Sequence, residues 1–282
     1  MSTGVSDNFF AGEAGAIQPV GFALVLSEQW LVERVSANIA EYMPAEPEAL
    51  VGTPIADLLG SETVHTLRNQ LALLREPGAV ARLFACNSAA GCFDFALQSE
   101  GHGVLLEGQR SSGTEHGDLV ATIRTLIRRL ERHEAVEPLL EEALRQVRAL
   151  TGYDQVACYG ADGRLIVHSS RRSDSPTESF TLPMPVVMTM VADCTADPIA
   201  MVPAAHAGPG GLLAAPGPAL AALIDRSGSK AGCLVPLTVA GRPWATILAT
   251  HPNARYPSFE RQSATELFLQ MLGLLIGLVE RR

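Results

Sequence analysis

The chain has 282 residues, 47% of them hydrophobic and 18% charged, a balance that fills one large or two ordinary cores and excludes wholesale disorder. Asp and Glu number 30 against 21 Lys and Arg, giving a formal charge of -9. Such a chain gains nothing from counterion release, so nucleic acid is not the expected main partner. The cysteines Cys86, Cys92, Cys158, Cys194 and Cys233 are odd in number and lack CxxC spacing, which argues against a disulfide framework and a zinc site.

Residues 1–15 hold no basic run ahead of an apolar stretch, so no signal peptide is expected. The apolar run at 267–279 is shorter than the roughly 20 residues of a spanning helix. It reads as a buried or dimer-forming helix, and a cytoplasmic protein with no membrane partner is expected. The first part of the chain reads as short strands mixed with short helices. GFALVL at 21–26 predicts a strand, 31–36 a second, 38–42 and 47–50 short helices, and 64–74 a longer one. Residues 79–85, 92–98 and 104–109 predict three strands of an antiparallel sheet, with Gly101 and Gly103 at a turn.

Leu119, Ile123, Leu126 and Leu130 then recur every three or four residues, with Arg124, Arg128, Arg129 and Arg132 between or just after them. This predicts an amphipathic linker helix whose apolar seam is a dimer surface. Pro138 fits the first turn of a second helix at 137–150, and Gly152 ends it. Two hairpins bracket the second half: 154–159 with 165–169, and 233–239 with 244–250 across Ala240-Gly241. Between them 195–218, rich in Ala, Pro and Gly, predicts a long loop, and 258–282 predicts a final helix. Met184, Val186, Met188 and Met190 alternate along one strand face and offer an apolar wall to a ligand. The expected fold class is α+β: an extension at 1–15, a first domain at 16–115, linker helices with the start of the second domain at 116–150, and a second domain with its C-terminal helix at 151–282.

Catalytic patterns are absent from the sequence. His133-Glu134 is not HExxH, because Glu137 stands where the second His belongs. Gly208-Pro209-Gly210-Gly211 neither follows a strand nor opens a helix, and there is no GxSxG elbow. No enzymatic activity, catalytic residue or metal is expected. His133, Glu134, Pro138 and Leu139 do have the spacing of a sensor-kinase phosphoacceptor helix, so a phosphotransfer protein using His133 is an alternative.

Residues 15–21, Gly-Ala-Ile-Gln-Pro-Val-Gly, are similar to the signature that opens the PAS domain of bacteriophytochromes, with Val20 in place of a His. Ser36-Ala37-Asn38 and the stretch 47–60 continue the resemblance. Residues 150–156, Gly241-Arg242-Pro243-Trp244 and Pro257-Ser258-Phe259-Glu260 resemble a phytochrome GAF domain. The resemblance runs from about residue 6 to 282. It implies a photosensory PAS–GAF module without PHY or kinase domains, whose family binds biliverdin in the GAF domain through an upstream cysteine and threads its N-terminal segment through a GAF loop, here near 195–218.

By the same resemblance, Ser6 stands at the attachment cysteine's position, and serine cannot supply the thiolate that attacks a vinyl group. The family's Pro-Ala-Ser-Asp-Ile-Pro segment and a propionate-binding Arg are missing between 178 and 202. Ala-rich residues at 218–224 replace a His-bearing helix, Gly232 and Leu234 replace propionate-binding serines, and Thr250 replaces the first of two histidines. Tyr159 and His251 keep chromophore-contacting positions. A phytochrome-like sensory and signal-transduction protein without covalent bilin is expected, acting as a regulatory or dimerisation module, as a homodimer or a heterodimer with a sensor kinase or phytochrome. No cofactor is expected; biliverdin or another tetrapyrrole held non-covalently is the alternative.

Overall fold

The computed structural model describes residues 15–75, 78–100, 103–111, 119–171, 182, 184–185, 187–204 and 210–281. The chain forms two α+β units. The first contains β1 (Ala16–Ile17), β2 (Phe22–Leu26), β3 (Val32–Ser36), a 3-10 turn at Ile39–Glu41, α1 (Pro47–Leu50), α2 (Ile55–Leu59), α3 (Ser61–Leu71), β4 (Ala81–Ser88), β5 (Gly91–Glu100) and β6 (Gly103–Arg110). Phe22 meets Tyr42, Phe93 and Phe95 at ring-centroid distances of 5.3, 5.6 and 6.4 Å, within the range of favourable tilted and edge contacts.

The second unit contains α4 (Leu119–Leu130), α5 (Val136–Thr151), β7 (Gln155–Gly160), β8 (Leu165–Ser170), β9 (Thr189–Val191), β10 (Ile199–Val202), α6 (Pro218–Arg226), β11 (Ala231–Val239), β12 (Arg242–His251) and α7 (Phe259–Val279). Its antiparallel sheet runs β8-β7-β12-β11-β9. Both predicted hairpins are present, the second turning at Ala240 and Gly241 with positive φ at both. Gly152 closes α5 in the left-handed conformation, and the Ser258 hydroxyl caps α7 by accepting from the Arg261 amide.

Several expectations need correction. The helix read at 64–74 runs Ser61–Leu71, the one at 38–42 is a 3-10 turn, and α2 was not foreseen. The supposed loop at 195–218 contains β10, which leaves the second unit and pairs with β1 and β3. The first unit's sheet thereby becomes seven-stranded, in the order β1-β10-β3-β2-β6-β5-β4. The α4 seam is not a free dimer surface. Ile123 and Leu130 are buried in the core under α5 and α7, with Leu119 and Leu126 packed at its margin. A period of three and four residues reports that a face is buried, not by what. Met188 and Met190 are buried in that same helix-side core, so they form no wall for Tyr159, and Val186 lies outside the described residues.

The final helix is long and apolar enough, by length and composition, to cross a membrane. It packs as a core helix: Phe268, Leu269, Leu272 and Ile276 are buried against the sheet with α4 and α5. Gly273 sits where α7 crosses β11, and a methyl group there would overlap the Thr238 carbonyl oxygen.

Between the two units lies a core of its own, made by Ile17, Ala23, Ala96, Leu105, Met201, Leu213 and Phe259. Buried polar side chains fix its edges. Gln18, 3% exposed, donates to the carbonyls of Met190 (2.9 Å) and Ala214 (3.0 Å) and accepts from the Ala192 amide (2.7 Å). Glu107 on β6, 2% exposed, accepts from the amides of Leu212 (2.8 Å) and Leu213 (2.6 Å). Arg82 on β4 makes a bidentate pair with Glu266 on α7 at 2.8 and 2.9 Å. Residues 15–18 thus run between β10 and 213–215, bonded on both sides. The residues ahead of them, on which threading depends, lie outside the described set.

Two outcomes follow for urea unfolding. Gly273→Ala drives a methyl into backbone and lowers stability by about 1–3 kcal/mol. Glu107→Ala strips the acceptor from the buried Leu213 amide and the half-buried Leu212 amide and costs about 1–3 kcal/mol for each that stays unmet, whereas Glu107→Gln, keeping one carbonyl, costs less.

Candidate functional site

The site expected from the sequence lies on the face of the second sheet away from α5 and α7. The register pairs Tyr159 with Thr246 and Ala157 with Leu248 across β7 and β12, and Leu248 with Leu234 and Thr250 with Gly232 across β12 and β11. Residues paired across strands share a face, so these side chains form one surface. Burial pushes the Tyr159 phenol up to about 12, so it is neutral at physiological pH.

This surface is covered by α6. Leu223 and Ile224 lie one helical turn after Leu220, and all three are buried against Ala157, Tyr159, Val191, Leu234 and Leu248. Gly232 permits the approach, since a methyl built there would overlap Ile224 Cδ1 and lie 2.9 Å from its Cγ1. At the margin the Thr246 hydroxyl contacts the Met184 sulfur at 3.2 Å.

His251 does not join Tyr159. It lies five residues beyond Thr246 along β12, where the alternation of a strand turns its side chain to the opposite face. There its Nδ1 accepts from the Asn253 amide at 3.1 Å, and its Nε2 lies 3.9 Å from the Asp154 carboxylate. Nearby, a cleft of about 50 Å³, room for a few waters, is lined by Asp154, Gln155, Ser229 and Thr250 among others. His133 is in the turn between α4 and α5 rather than on an exposed helix, with its amide bonded to the Leu130 carbonyl. Ser6 lies outside the described residues. Among the described residues no three His, Cys, Asp or Glu side chains cluster as metal ligands.

A linear tetrapyrrole carries two propionates and several N–H groups, and each one buried unpartnered costs roughly 1–3 kcal/mol, more for a charge. Among the described residues the buried polar groups on the Tyr159 face are that phenol and the hydroxyls of Thr246 and Thr250. No arginine, lysine or histidine among the described residues is buried. The described residues therefore do not fit a bilin. Sequence reasoning missed the filling by Leu220, Leu223 and Ile224. Their one-turn spacing after Pro218 was the available signal, and Gly232, read only as a lost serine, is its counterpart on the sheet.

The GAF-domain family model matches residues 135–279, more than half of the chain. The chain belongs to the GAF-domain family. A PAS-fold family model matches residues 12–107, ahead of the GAF domain. Among solved structures the chain is similar to the chromophore-binding domain of an unusual bacteriophytochrome from R. palustris. The TM-score is 0.78 at 23% identity, over 95% of this chain and 97% of that one. No curated protein matches the chain. The two units are thus a PAS domain and a GAF domain in a bacteriophytochrome-like arrangement, joined by the bonds of Gln18 and Glu107.

The GAF cysteines are of two kinds. Cys158 and Cys233 are buried, and burial pushes the Cys158 thiol up to about 12 and raises that of Cys233 as well, whereas Cys194 is half-buried. The thiolate is the reactive form, and at pH 8 a thiol of that pKa holds about one part in ten thousand of it. Iodoacetamide at pH 8 should therefore leave Cys158 and Cys233 unmodified in the folded protein and label both after unfolding, as read by peptide mass spectrometry.

Proposed function

We propose that the chain is a phytochrome-like sensory and signal-transduction module that works without a covalently attached bilin, carries out no reaction of its own, and acts in the cytoplasm by pairing its helical layer with a second copy. The observation that carries this reading is the outer face of α7. Leu267, Leu274 and Leu278 are 42%, 61% and 57% exposed, and the half-buried Met271 completes the row. The spacings of four, three and four residues are those of a heptad seam, which a second helix covers. Among the described residues, those packed on α7 cover its inner face and leave this row open. A sensor kinase or phytochrome presenting a matching helix is the other partner this seam accepts.

Ser6 at the attachment position, by its resemblance to the family, and the apolar Tyr159 face support the absence of a tethered bilin. The second reading, a module that holds a tetrapyrrole non-covalently, draws its support from the likeness of the fold to a chromophore-binding domain.

Light scattering during gel filtration tests the pairing. The expected result is a dimer that Leu274→Asp converts to a folded monomer, and a wild-type monomer overturns homodimer formation. After co-expression with a biliverdin supply, a denaturing gel should show no pigment on the polypeptide; pigment that survives denaturation overturns the reading of a module without covalent bilin.

A further inference from the structure

We propose that α6 takes the place of a ligand: the Tyr159 face of the GAF domain is filled by the chain's own helix and admits no bilin, tethered or free. This rests on the reading of a module without attached bilin and extends it from the missing attachment to the pocket itself.

The packing on that face is direct. Pro218 has the fixed φ that suits a first helical turn, and Leu220, Leu223 and Ile224 then project together. All three are buried, and their partners are strand residues Val191, Leu234 and Leu248 rather than a gap. A flat conjugated ring system needs van der Waals clearance of about 3.5 Å on each side. Over Gly232 there is no such layer, because Ile224 Cγ1 already lies 2.9 Å from where a Cβ would be. The other helix end is tied down as well. The Ser227 hydroxyl donates to the Ile224 carbonyl at 2.6 Å, the Ser229 amide donates to it at 3.3 Å, and the Lys230 amide donates to the His251 carbonyl at 3.0 Å. These bonds carry the chain from α6 straight into β11, so lifting the helix would break them along with the apolar contacts.

Two experiments decide it. In a double-mutant cycle read by urea unfolding, Gly232→Ala lowers the midpoint in the wild-type background, and the loss disappears once Ile224→Ala has removed the atoms that the new methyl strikes. An equal loss in both backgrounds overturns the proposal. Wild-type protein incubated with biliverdin and passed through gel filtration should elute without pigment, and this run decides alone if Ile224→Ala does not fold. Pigment that co-elutes but leaves on denaturation overturns the filled face while the absence of covalent attachment stands. Pigment that also survives denaturation overturns both.

Discussion

The structure depends on one exchange of strands and bonds between its two domains. β10 belongs by sequence to the GAF domain, yet its backbone partners are β1 and β3 of the PAS domain. A strand that leaves its own sheet must find every backbone bond elsewhere, since unmet groups in a dry interface are costly. The loop returning from β10 has the same need, and Glu107 meets it at Leu212 and Leu213 while Gln18 bridges 190, 192 and 214. A buried carboxylate is tolerable here because it has two amide donors. Gly211 belongs to the same arrangement, because a methyl there would overlap the Glu107 carboxylate. Separating the domains would strand polar groups on both sides and expose the apolar core between them.

The legibility of the sequence followed the range of the interactions. Hairpins were readable because two positive-φ residues at 240–241 and alternation on either side specify them locally. The ends of α5 and α7 were readable from Gly152 and Ser258 for the same reason. β10 was not. It is four residues long, sits in a stretch rich in Ala, Pro and Gly, and pairs with residues more than 150 positions away, which no local period encodes. The buried polar contacts are invisible likewise: Gln18 stands in the sequence as one residue of a signature, and nothing about Glu107 in an alternating strand marks it as an acceptor for a distant loop.

The candidate site failed in a more instructive way. Tyr159 and His251 were joined by resemblance, but strand geometry places them on opposite faces of one sheet. The period of Leu119, Ile123, Leu126 and Leu130 points to a dimer surface, whereas the chain's own core takes up Ile123 and Leu130, because amphipathicity is silent about which surface does the covering. An apolar row left exposed among the described residues belongs to α7, whose pattern hides it: from 271 to 279 the helix has no polar side chain by which to tell its inner face from its outer one.

These placements constrain how such a module can change state. Among the described residues the GAF sheet has α5 and α7 on one face and α6 on the other. The PAS domain is held to it through β10, Gln18, Glu107 and the Arg82–Glu266 pair. Arg82 grips Glu266 on the same helix that carries the outer leucine seam, one position before Leu267 and five before Met271. A shift of the PAS sheet relative to the GAF sheet would therefore act on α7 near the start of that seam. The exposed apolar row on α7 therefore sits on the helix that the PAS domain grips through Arg82 and that the GAF sheet carries on its face.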